Sequence, residues 1–170
     1  MKNFILQDPK LLLYGFFIIF FASFGQTFFI SLFSDSIREH YKLTDGNFGL
    51  IYAISTTLSS IALILFAKLI DRIDLRIYSF LVSIGLFAAC FGMFIFFNNI
   101  FFLFLIIFAL RFFGQGAMTH AGETTMARYF GENRGKAISF STFGGMIGVM
   151  FLPFIVVKLT HSIGDQNVWL

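Results

Sequence analysis

Four long stretches without a single Asp, Glu, Lys or Arg set the limits on this chain's fold. Residues 11–34, 46–67 and 137–157 are uncharged, and so is the longer run 77–110. An α-helix needs roughly 20 apolar residues to cross a hydrocarbon core about 30 Å thick. The first three runs each fit one crossing. The fourth is too long for one and reads as two, joined by a tight turn at Asn98-Asn99. The expectation is an all-α integral membrane protein with five transmembrane helices at about 11–34, 46–67, 77–97, 100–127 and 137–157. Charged residues make up 12% of the chain, about half the share of a water-soluble domain. The 15 glycines allow helices to approach closely, and the 28 phenylalanines suit a lipid-facing surface.

Basic residues orient the bundle. With the N-terminus in the cytoplasm, the inner segments hold Lys2, Lys10, Lys68, Arg72, Arg76, Arg128, Arg134 and Lys136, and the outer ones only Arg38, Lys42 and Lys158. Eight against three obeys the positive-inside rule. The apolar stretch after Lys10 exceeds the roughly 7–15 residues of a signal-peptide core, and no A-x-A site follows it, so it reads as an uncleaved first helix. Scattered basic residues offer no nucleic-acid surface. The single Cys90 makes neither an intrachain disulfide nor a metal site. No cofactor and no metal is expected, and the expected surroundings are a lipid bilayer.

Few polar groups remain inside the helices to carry chemistry. Arg111 falls roughly 16 Å along its helix from Ile100, near mid-bilayer, where a charge must face the bundle interior or water. Gln115 follows one turn on. Together they form a donor face suited to an anionic substrate, or Arg111 is a structural cation bonded to a neighbouring helix's carbonyls. His120 and Glu123, nearer the cytoplasm, form either a proton-coupling pair or an interfacial hydrogen-bonded pair. Gln26, with Ser23 and Thr27, gives the first helix a polar patch that either lines a substrate path or bonds across helices. Small residues at Ser55–Ser60 and at Gly85, Ala89 and Gly92 read as packing seams. Gly144, Gly145 and Gly148, followed by Pro153, make a candidate hinge in the fifth helix. Ser23-Phe24-Gly25-Gln26 and Phe112-Phe113-Gly114-Gln115 form a faint repeat in helices of opposite direction, a pattern of secondary transporters.

The loop Ala67-Lys68-Leu69-Ile70-Asp71-Arg72-Ile73-Asp74-Leu75-Arg76 resembles the inner loop of the major facilitator superfamily, G-x-L-a-D-r-x-G-r-[RK]. Leu69, Asp71, Arg72 and Arg76 match it, while Ala67, Asp74 and Leu75 depart. Arg111-Phe112-Phe113-Gly114-Gln115-Gly116 is similar to the family's fourth-helix motif. Tyr129-Phe130-x3-Arg134-Gly135-x-Ala137, with Gly144, Gly148 and Pro153, resembles the monocarboxylate and oxalate/formate members. The antiporter signature of adjacent Gly-Pro is absent, since Val149 follows Gly148. The resemblance implies a secondary active transporter of a small solute, an organic anion on the last likeness, working by alternating access. It implies a latch built from Asp71, Arg72 and Arg76, for which a positive-inside loop with an incidental acid is the alternative. Asp71 is expected near the start of the third helix, where a carboxylate favours the helix dipole. The family fold has twelve helices, so the chain reads as a fragment: the N-terminal part of a six-helix half, approaching a sixth helix at Val168-Trp169-Leu170 and lacking the C-terminal half.

Two other classes compete with a transporter. An intramembrane enzyme finds no support, with no H-E-x-x-H, no Ser–His pair in adjacent helices and no paired intramembrane Asp. A small structural or assembly membrane protein without transport activity is the alternative to a transporter. The expected residence is a bacterial inner membrane with the N-terminus cytoplasmic. Reporter fusions after Ser36 and Asn99 should therefore report outside, and fusions after Asp74 and Asn133 inside. The reverse pattern would overturn the orientation.

Overall fold

The computed structural model describes residues 8–95, 99–165 and 167–169. Lys2, Asn98 of the expected turn and Leu170 of the expected sixth-helix approach lie outside these residues. The described chain is helical, and five stretches are long and apolar enough to cross a membrane: Pro9–Ser31, Asp45–Asp71, Leu75–Ile95, Ile100–Tyr129 and Gly131–Ile163. They are called spans one to five below. Each overlaps one of the expected crossings.

Local chemistry starts these helices. Asp8 accepts the Leu11 N–H at 3.0 Å and Pro9 follows at the first helical position, where its missing N–H is no loss. Thr44 accepts from Asn47 N at 3.2 Å to begin span two, and Asn99 accepts from Phe101 N at 2.9 Å to begin span four. Each short polar side chain satisfies a backbone donor that the first turn leaves open. A short helix, Ser34–Tyr41, follows span one and ends at Lys42 in the left-handed region. Span five runs as one helix from Arg134 to Ile163 and stops at Gly164, whose φ of 82° suits glycine.

Span one packs between spans four and five. Its contact with span five is made by small residues. A Cβ on Gly144 would lie 2.2 Å from the Phe16 carbonyl oxygen, one on Gly148 would lie 2.2 Å from Ser23 Oγ, and one on Gly15 would lie 2.2 Å from Ser141 Oγ. The helix also passes through Pro153 unbroken. At the expected hinge, Gly144 therefore lies against the backbone of Phe16 and Gly148 against the side chain of Ser23, both on span one. Span three presents Tyr78, Val82, Leu86, Ala89 and Met93 to the core, a single face at helical spacing. Gly85 accommodates the Phe113 ring. Span two buries only Ser55, Ser59 and Ile70. Ser55 donates to the Phe104 carbonyl at 3.2 Å, which ties it to span four. Phe80, Phe87, Phe101 and Phe154 face outward, as a lipid-facing surface requires.

The seam separates two glycines on the same helix. Gly144→Ala drives a methyl into a carbonyl of span one, whereas nothing lies within 4 Å of a Cβ at Gly135. Denaturant unfolding in detergent should show Gly144→Ala losing about 1–3 kcal/mol, with Gly135→Ala unchanged or slightly more stable. Equal behaviour would mean that the seam is not tight.

Candidate functional site

Span one does not cross as one helix. It is α-helical from Pro9 to Ala22, tightens to a 3₁₀ turn over Ser23–Gly25, and opens at Gln26, whose ψ of 154° is extended; a new helix starts at Thr27. The sequence offered no sign of the break in hydropathy, because the run 11–34 stays uncharged throughout. Its cause lies on span four. A Cβ on Gly25 would meet the Leu110 carbonyl oxygen at 2.1 Å and Gly114 Cα at 2.7 Å, and one on Gly114 would meet Gly25 Cα at 2.6 Å. Span four is itself distorted there, wound as a π-helix over Leu110–Met118. The two Gly-Gln motifs of the sequence repeat therefore cross glycine to glycine, each at an irregular turn.

The break leaves a carbonyl to be satisfied. Phe29 N–H, which would bond the Gly25 carbonyl in a continuous α-helix, bonds that of Gln26 at 3.2 Å. Arg111 takes the vacated acceptor. Its Nη1 donates to Gly25 O at 3.3 Å and to Thr27 Oγ1 at 3.0 Å. The guanidinium carbon lies 5.3 Å from the centre of the Tyr52 ring, a cation–π distance. Tyr52 in turn donates its hydroxyl to Thr27 Oγ1 at 2.9 Å. Arg111 is 7% exposed, and among the described residues no carboxylate comes within 4 Å of it. Of the two readings of Arg111, the bond to a neighbouring helix's carbonyl is the one formed here. Arg111 Nε and Gln115 Oε1 are both buried without a partner.

A groove of about 410 Å³ opens between spans one, four and five. Ser23 and Gln26 reach it from span one, Thr119 and Glu123 from span four, and Thr142 from span five. Ile19, Phe28, Met146 and Val149 supply its apolar wall. Glu123 is exposed. Thr119 Oγ1 is buried and unpartnered, and Thr142 donates its hydroxyl to the Ile138 carbonyl at 2.9 Å. Arg111, Gln115 and His120 are not among the walls. The expected pairing of His120 with Glu123 is not formed. His120 Nδ1 lies 3.3 Å from Thr124 Oγ1, its neighbour one full turn on, while Glu123 turns toward the groove. Thr119 and Thr142 were missed in the sequence. The signal for Thr119 was the four-residue spacing of Gln115, Thr119 and Glu123 along one helix face.

At the far end of span four, Arg128 is ion-paired with Asp71, and Arg128 Nη1 also reaches the Ile70 carbonyl at 3.4 Å. Arg72 and Arg76 are exposed. Asp71 closes the 3₁₀ turn that ends span two; the carboxylate at the start of span three is that of Asp74, which accepts from Arg76 N at 2.7 Å. The charge contact in this loop therefore joins Asp71 to Arg128, a partner not foreseen because it lies far along the chain. Among the described residues, no group of three or more His, Cys, Asp or Glu could hold a metal ion.

Removing Arg111 would strand the Gly25 carbonyl, and an unsatisfied buried acceptor costs about 1–3 kcal/mol. Arg111→Met should lower unfolding stability in detergent by that order, and Arg111→Lys by less, since a lysine keeps one donor but loses the planar fork. Full stability of Arg111→Met would refute its role as a tie between spans one and four.

No curated protein and no solved structure matches the chain. A family model described as Major Facilitator Superfamily matches residues 15–170, a segment that takes in all of the site above. The chain is an integral membrane protein of the Major Facilitator Superfamily, whose members are membrane transporters.

Proposed function

We propose that this chain forms part of a secondary active transporter that moves a small solute by alternating access, with the groove between spans one, four and five as one wall of the solute path. A second helical half of the same transporter would supply the opposite wall. The observation that carries this reading is the groove itself: polar groups from three separate helices converge beside a break in span one. Discontinuous helices border the binding sites of many secondary transporters, because an unwound segment exposes backbone groups that a regular helix hides.

The sequence suggested an organic anion held by Arg111. That guanidinium is bonded to span one and lies outside the groove walls, so the geometry lends the anion no support. Proton coupling through a His120–Glu123 pair is likewise unsupported, and Glu123 is the one titratable group in the groove wall. The latch is assigned to Asp71 with Arg128, which ties the end of span two to the end of span four. With the N-terminus in the cytoplasm, this pair lies at the inner surface.

Thiol labelling in membrane vesicles tests the path. In a Cys90→Ala background, cysteines at Gln26 and Thr142 should react with a membrane-impermeant maleimide at least about tenfold faster than one at outward-facing Phe154. Asp71→Asn should raise the rate from the cytoplasmic side. Uniformly slow labelling would mean a closed bundle, as in a structural membrane protein, and would overturn the transport reading.

A further inference from the structure

The groove's chemistry also points to the class of its solute. We propose that it binds a small organic cation, a protonated amine on an apolar body, with Glu123 as the counter-charge. This rests on the reading of the groove as a solute path.

Glu123 is the only formal charge in the groove wall. Every cation that could neutralise it from this chain's span four is engaged elsewhere. Arg111 is held by Gly25 and Thr27 and stacks on Tyr52. Arg128 is paired with Asp71. His120 faces Thr124. Among the described residues Glu123 has no ion-pair partner. A carboxylate within a membrane-spanning segment is costly unless it meets water or an opposite charge, and the groove gives access to both.

The neutral groups fit the same ligand. Thr142 has already given its hydroxyl proton to the Ile138 carbonyl, so toward the groove it can only accept. Gln26 can present its amide oxygen to the groove. Acceptors around a carboxylate suit an ammonium group with its three N–H donors. An anion would meet like charge with no cation to offset it. The apolar part of the lining, Ile19, Phe28, Met146 and Val149, gives an apolar body a place to rest.

The test uses three probes of one skeleton: phenethylamine, 2-phenylethanol and 3-phenylpropionate. The full chain is placed in phosphatidylcholine nanodiscs, and binding is read by saturation-transfer NMR with the signal from empty discs subtracted. The amine should bind at least about tenfold more tightly than the acid. Glu123→Gln should abolish that preference while leaving the alcohol's binding unchanged. Glu123→Asp should keep the preference, and Glu132→Gln, in the first turn of span five, should not alter it. Met146→Trp, which fills the groove, should remove all three signals. If the alcohol binds and Met146→Trp removes it, but the amine has no advantage, the cation assignment is wrong and the groove reading stands. A preference that survives Glu123→Gln also overturns the assignment. If none of the probes binds up to about 10 mM, both readings fail.

Discussion

Gly25 and Gly114 bring the backbones of spans one and four closer than any side chain would permit, and much of the interior follows from that approach. Neither helix stays regular through the contact. Span four widens to a π-helix, while span one tightens to a 3₁₀ turn and then opens at Gln26. An opened helix in an apolar interior must find new partners for its backbone groups, because no water is there to serve them. Arg111 supplies the donor. The crossing and the buried arginine therefore explain each other: the break creates an acceptor, and the acceptor makes a mid-span cation tolerable.

Span four carries two formal charges well inside its ends and treats them in opposite ways. Arg111 is enclosed by a carbonyl, a hydroxyl and an aromatic face, none of which is charged. Its positive charge is solvated by the protein itself. Glu123 is left open to a groove with few donors around it. A carboxylate accepts hydrogen bonds and cannot use carbonyls, so an all-helical bundle whose backbone donors are taken by its own turns has little to offer a buried acid. An arginine can be absorbed by a helix break, whereas an acid needs water, a side-chain donor or a ligand. That asymmetry is why the same helix yields a structural site at one depth and a candidate binding site at another.

The spans were legible because they depend on a local quantity, the absence of charge over about 20 residues. The helix starts at Thr44 and Asn99 were within reach for the same reason. What the sequence hid was everything set by contact between distant segments. Uncharged residues 11–34 read as one helix, since hydropathy carries no record of where a neighbour's carbonyl will press. Gly144 and Gly148 suggested flexibility, yet each is fixed against span one. The inner-loop motif pointed to Asp71 but not to Arg128, which lies after two further spans. The nearest the sequence came was the repeated Phe-Gly-Gln of Phe24–Gln26 and Phe113–Gln115. It was read as a mark of repeat architecture, and its structural content is that the two copies touch.

Span two shows how far the consequences of the crossing extend. Of its described residues only Ser55, Ser59 and Ile70 are buried, and most of its surface faces outward. Among its polar ties, two lie well inside the span. Ser55 bonds the Phe104 carbonyl of span four, and Tyr52 bonds Thr27 just beyond the break in span one. Thr27 Oγ1 has two lone pairs, and both are used, one by Tyr52 and one by Arg111. Span two is thus attached to the restarted half of span one through the same oxygen that receives the arginine. A displacement of Arg111 along span four would draw on Thr27, and through it on Tyr52. The restarted half begins at a residue with extended backbone, yet Gln26 stays bonded on both sides: its N–H donates to the Ser23 carbonyl at 3.1 Å, and its own carbonyl accepts from Phe29 and Ile30 at 3.2 Å. The break is therefore held from within span one as well as from span four, and the arginine, the restarted helix and span two are joined as one hydrogen-bonded unit.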